Sequence, residues 1–259
     1  MTRPGLATLA LMLFLAPGAR AQDLDETVAP GPAPHDASDA LGVGGAATNA
    51  DWVGTPQNFA FELKFGPYLP DVDSEFGGSA SPYADTFGTD DILLSLFEFD
   101  WEFIRIPGGT FAVGVSSGFM QAVGPSKTPG GVTSAEDTVL NIVPIYYSAA
   151  FRCDIFAERW SVPLVPYVKA GIATYYWWVL NGGGTAEWGW TPGWFFNPGL
   201  MLQLDVLEPS TARSFDSSIG VNHSYLLVEL MWAGVDGFGR GKSMVLSDLS
   251  FTAGLAFEF

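Results

Sequence analysis

The chain has 259 residues, enough for one large β domain plus a tail, and a formal charge of −17. So acidic a chain excludes nucleic acid as a partner and excludes direct electrostatic adhesion to anionic lipid. It is 48 % hydrophobic, 14 % aromatic and only 15 % charged, a balance that fits a protein facing lipid on one side.

Residues 1–21 read as a secretory signal peptide: Arg3 supplies a positive start, Leu6–Leu15 an apolar stretch, and Ala19-Arg20-Ala21 a small-residue cleavage site. The apolar stretch is too short for a transmembrane helix, and no later run approaches ~20 apolar residues, so any membrane span must be made of strands. Residues 22–56, rich in Ala, Pro, Gly and Asp and without hydrophobic periodicity, are expected to be a disordered acidic periplasmic tail. Residues 57–259 then form the folded domain. Cys153 is the only cysteine, so neither a disulfide nor an N-terminal lipid anchor is indicated.

Within 57–259 the chain resolves into eight segments whose side chains alternate in character, separated by turn-forming stretches. The first, Asn58–Leu69, sets Phe59, Phe61, Leu63 and Phe65 against Glu62 and Lys64. In Ile92–Arg105, Phe97, Phe99, Trp101 and Phe103 oppose Glu98, Asp100 and Glu102. Thr110–Gln121 sets Phe111, Val113, Val115 and Phe119 against small residues, and Val139–Arg152 carries Val143, Ile145, Tyr147, Ala149 and Phe151 on one parity. Leu164–Trp178 opposes Val168, Ala170, Ile172 and Tyr176 to Lys169, Gly171 and Ala173. Trp194–Val206 and Ile219–Trp232 follow, with Asn197, Gln203 and Asp205, then His223, Tyr225 and Glu229, on their polar parities. The last segment, 247–259, places Leu249, Phe251, Ala253, Leu255, Phe257 and Phe259 on one face and only small or acidic residues on the other.

These features predict an all-β fold: an eight-stranded antiparallel up-and-down transmembrane β-barrel. Ile106-Pro-Gly-Gly109 makes a tight turn, whereas linkers 70–91, 122–138, 179–193 and 233–245 are long; an even strand number with both termini inside puts the long ones outside. Linkers 153–163 and 207–218 face the other way, and the second has the composition for a short helix. Phe59, Trp101, Phe151, Phe257 and Phe259 are expected near the inner membrane interface, and Trp178, Trp194 and Trp232 near the outer one.

Eight strands leave an interior filled by side chains. Glu62, Lys64, Glu98, Asp100, Glu102, Arg152, Lys169, Glu229 and Glu258 all fall on the inward parity. Ionisable groups facing such an interior are costly unless paired, so three bases among several acids predict a salt-bridged plug. Toward the outer end the inward positions turn apolar: Ile92, Leu94, Leu96, Leu140, Ile142, Tyr175 and Trp177. They either pack under loops or line an apolar pocket opening outward, as in OmpW-like barrels.

The residues argue against an enzyme. His223 is the only histidine beyond the tail, and Ser224, adjacent to it on a strand, points to the opposite face. One His and one Cys cannot build a transition-metal or haem site, and Gly182-Gly-Gly lacks a phosphate-loop context. No cofactor is expected.

The closing strand with its terminal Phe resembles the C-terminal signal of bacterial outer-membrane barrels, which assigns Phe257 and Phe259 to recognition by the barrel-assembly machinery. Residues 61–76, 162–171, 220–225 and the closing strand resemble a family of small uncharacterised Gram-negative outer-membrane β-barrel proteins, of OmpA/OmpX/OmpW-like architecture. The resemblance spans 58–259 and implies the fold and an outer-membrane location, with no activity. Together these readings predict a plugged monomeric barrel in contact with outer-membrane lipid and lipopolysaccharide, with a structural or surface-interaction role through its outer loops. The alternative is binding or passage of a small hydrophobic molecule through an apolar upper lumen.

Overall fold

A computed structural model of the chain describes residues 58–127, 133–181, 184, 186–206, 220–240 and 243–259. The signal peptide and tail expected over 1–56, and the linker 207–218 with its short helix, lie outside the described residues.

Alternating side chains commit each segment to a ribbon with one apolar face, and the only way to hide every ribbon edge is to close the sheet on itself. Among the described residues eight strands do so: β1 (Phe59–Tyr68), β2 (Ile92–Ile106), β3 (Gly109–Lys127), β4 (Thr133–Arg152), β5 (Leu164–Leu180), β6 (Ala186–Gln203), β7 (His223–Gly234) and β8 (Asp248–Glu258). Each pairs antiparallel with the next, and β1 pairs with β8 to complete the ring.

Where bounds differ from expectation, the reason is local. Linkers 122–138 and 179–193 are largely strand: β3 and β4 form one long hairpin, and β6 begins at Ala186, eight residues before the expected Trp194. Gly189, Pro192 and Gly193 give that stretch the composition of a loop, yet each has a place in the sheet. Gly189 leaves room for the Trp177 ring, Pro192 accepts a backbone hydrogen bond from Gly237, and Gly193 lies against the Gly234 backbone. Strand β7 starts at His223 rather than Ile219. In β2 the register slips between Glu102 and Ile104, a bulge that turns both Phe103 and Ile104 outward.

Linker 70–91 is ordered as a 3₁₀ turn, Val72–Phe76, followed by helix α1, Pro82–Phe87. Both carboxylate oxygens of Asp73 accept N–H groups from the first turn of α1, Tyr83 at 2.7 Å and Ala84 at 3.0 Å, while Pro82 sits where no N–H is needed. The segment lies over the outer mouth. Asp71 N–H bonds Ser247 O, Val245 N–H bonds the Glu75 carboxylate, and Tyr83 and Phe87 pack onto the core. Linker 153–163 contains a second helix, α2 (Ile155–Trp160).

The interior is layered. Beneath α1 an apolar cluster of Tyr68, Leu94, Met120, Ile142, Tyr146, Tyr175, Phe195 and Met231 fills the outer half. A smaller cluster of Val165, Tyr167, Met201, Tyr225 and Leu227 lies on the β5–β8 side of the inner half. The charged residues occupy the space between and beside them. Outside, the ring is apolar: Phe65, Phe97, Phe99, Val115, Tyr147, Ile172, Phe196, Val228 and Leu255 are all exposed. A belt of that extent is lipid-facing surface. No helix among the described residues is long and apolar enough to cross a membrane.

Candidate functional site: a charged network across the lumen

The parity that turns Phe61, Leu63 and Phe65 toward lipid turns Glu62 and Lys64 inward, and the same holds for Glu98, Asp100 and Glu102 on β2. Glu62 and Glu98 are direct cross-strand partners, a like-charged pair that is unfavourable alone. Cations answer it from two sides. Lys64 reaches Glu98 Oε2 at 2.6 Å, Glu229 Oε1 at 3.3 Å and Glu62 Oε2 at 3.4 Å. Lys169 comes from β5, four strands away in either direction round the ring, and so crosses the lumen. It meets Glu62 Oε2 at 2.7 Å, Glu98 Oε1 at 2.9 Å and Asp100 Oδ2 at 3.4 Å.

Arg152, at the inner end of β4, holds a second group. Its Nη1 contacts Glu102 Oε1 at 2.5 Å and Glu258 Oε1 at 2.6 Å, and its Nη2 lies 3.4 Å from Glu62 and 3.5 Å from Asp100. Arg105 caps Glu102 from outside at 2.6 Å. All nine residues picked out by parity are therefore in one connected cluster, each no more than 6 % exposed.

Neutral partners complete it. Tyr167 donates to Glu229 Oε2 at 3.2 Å and its ring lies 5.5 Å from Lys169 Nζ. Asn197 donates to Glu229 Oε1, Tyr225 to Glu258 and Ser148 to Glu98. Tyr225 and Asn197 were legible as inward polar positions; the role of Tyr167 depends on β7 lying two strands from β5 in the ring, which has no local signal.

Six buried carboxylates face three buried bases, so the network is acid-rich. Glu62, Glu98 and Asp100 offer oxygens within 4.8 Å of one another, close enough for a metal ion. Lys169 Nζ is ion-paired to all three, and its ammonium already provides the cation. Asp100 packs over Gly114, where any side chain would collide with its carboxylate.

At the inner mouth a cavity of about 240 Å³ is lined by Arg105, Thr110, Gln203, His223, Tyr225 and Glu258. His223 Nδ1 pairs with Asp205 Oδ2 at 2.5 Å, and Asp205 Oδ1 accepts the backbone N–H of Ser224. Ser224 shares the outward parity of Leu226, so its hydroxyl is on the other face from the imidazole.

A closed ring of eight antiparallel strands, ion-paired within and apolar without, defines the class: a small membrane-spanning β-barrel. The chain is similar to several solved structures. Ail, the attachment invasion locus protein of Yersinia pestis, shares 10 % identity at a TM-score of 0.39, covering 78 % of this chain and 97 % of its own. Neisserial surface protein A shares 12 % at 0.41, covering 80 % and 100 %. The N-terminal β-barrel domain of Pseudomonas aeruginosa OprF shares 12 % at 0.37, covering 79 % and 100 %. Likeness of that degree carries no argument beyond itself, and the fold stands here on the strand register. No protein-family model and no curated protein matches the chain.

Proposed function

We propose that this is an outer-membrane barrel whose interior is a side-chain plug, with a structural or surface-interaction role exercised through the outer loops. The observation that carries the reading is Lys169. It spans the lumen from β5 to carboxylates on β1 and β2, and it is 1 % exposed. Above it the apolar cluster under α1 occupies the outer half, which supports a closed lumen. The second reading, passage of a small hydrophobic molecule through the upper lumen, requires that cluster to part and has no observation in its favour.

In this reading the exposed belt contacts outer-membrane lipid, lipopolysaccharide surrounds the outer rim, and β8, with Phe257 and Phe259, presents the strand read by the assembly machinery.

Planar-bilayer recording of the purified barrel tests it. A plugged interior gives no steady conductance, whereas stable single-channel steps would show a continuous lumen and overturn the reading.

A further inference from the structure

On the β5–β6 hairpin the sheet runs past its neighbours. The last pair between β6 and β7 is Trp194 with Gly234, yet β6 extends eight residues further out with β5 as its strand partner, Pro192 and Thr191 still bonding Gly237 and Met244 while 186–190 run beyond them. Trp194 packs edge-on against Trp232, rings 5.2 Å apart, at the top of the lipid-facing belt. Trp188 lies six residues, ~20 Å, beyond Trp194 along a strand tilted by about 40°, hence ~15 Å higher.

On this register row the outward parity of β3 and β4 carries a polar pair, the exposed Gln121 donating to the buried Asn141 at 2.7 Å. Asn141 is the register partner of Trp178, and Trp178 of Trp188. The outward face of the hairpin nonetheless stays aromatic, with Tyr176 opposite Trp190, and Leu180 beyond. Trp188 is 76 % exposed and Trp190 56 %. Such residues above the hydrocarbon neither fill a core nor anchor in acyl chains.

We propose that this ridge is a saccharide-binding surface for the neutral sugar rings of the glycolipid that forms the surrounding outer leaflet. The inference rests on the outer-membrane reading above. Three features select this occupant. The ridge is continuous with the lipid-facing belt through Trp194, so whatever covers it is joined to the lipid below. Indole and phenol faces offer flat, weakly negative surfaces to the polarised C–H faces of a sugar, and the exposed Gln121 on β3 adds an amide suited to hydroxyl groups. The β5 and β6 positions of this face carry no Lys or Arg, which a phosphate would require.

The test uses the full barrel in sugar-free zwitterionic nanodiscs, titrated calorimetrically with phosphate-free core oligosaccharide released from lipopolysaccharide. Saturable binding is expected, weakened about tenfold by Trp188→Ala or Trp190→Ala, unchanged by Trp194→Ala, and largely retained by Trp188→Tyr, which also covers the case of a truncated variant that fails to fold. No binding, or binding indifferent to Trp188, overturns the proposal. Nanodiscs of brominated acyl-chain lipid separate its failure from that of the membrane reading. Quenching reduced by Trp194→Ala and unchanged by Trp188→Ala supports both readings. Quenching reduced equally by the two substitutions puts the ridge in the bilayer and overturns the saccharide site alone. A barrel with no quenched tryptophan overturns the membrane span itself.

Discussion

Replacing Lys169 by Met keeps the length of the side chain and removes its charge, so the change tests the ion pairs rather than a cavity. Three carboxylates lose a contact, but unequally. Glu98 keeps Lys64 at 2.6 Å, and Glu62 keeps Lys64 and Arg152 at 3.4 Å. Asp100 keeps only Arg152 at 3.5 Å and is the one stranded. Breaking one side of a buried pair costs about 3–5 kcal/mol, against under ~1 kcal/mol for a solvated surface pair. Lys169→Met should therefore lower stability by about 3–5 kcal/mol, and adding Asp100→Asn, which removes the stranded charge, should recover part of that loss. Urea titrations of the wild type, both single variants and the double variant, folded into lipid vesicles, measure the cycle. A deficit below ~1 kcal/mol, or a double variant no better than Lys169→Met, would mean that the lumen is hydrated at Lys169 and that the plug does not exist as described.

The lipid-facing belt makes a depth-dependent prediction. Leu255→Arg, in the middle of β8, should cost about 2–4 kcal/mol in vesicles, whereas Leu249→Arg, close to the outer end of the same strand and 65 % exposed, should cost about 0–1 kcal/mol; equal costs would move the membrane boundaries. The outer cover should loosen in alkali. Burial, with Asp73 beside it, pushes the Tyr83 phenol up to about 12 from its usual ~10. The neutral phenol is thus favoured in place, so its contribution is intact below pH ~10 and disappears as pH rises through about 12. Hydrogen exchange of residues 72–87 should rise over that interval in the wild type and less in Tyr83→Phe.

Much of the barrel was legible in the sequence because a strand has a period of two. Leu63 and Leu255 could not face lipid without Glu62 and Lys64 facing in, and the same holds for Phe97, Phe99 and Trp101 over Glu98 and Asp100. The eight segments, their order and the short Pro-Gly-Gly turn follow from side-chain alternation and turn chemistry, which are local properties. Strand ends were less legible where Gly and Pro serve the sheet instead of ending it. At Gly189 a missing Cβ admits Trp177, and at Pro192 the carbonyl still accepts a bond from Gly237.

Only the closed sheet decided who meets whom across the lumen. Lys169 is 107 residues from Glu62 in the chain, and Arg152 is 106 from Glu258. Nothing local to either base selects its acid; the curvature and register of eight strands bring β5 opposite β1 and β4 within reach of β8. The cover of the outer mouth is likewise tertiary: Asp73 can cap α1 only because the chain folds back between the 3₁₀ turn and the helix. The alternation of side chains sets which way each residue points, and closure of the ring sets what it finds there.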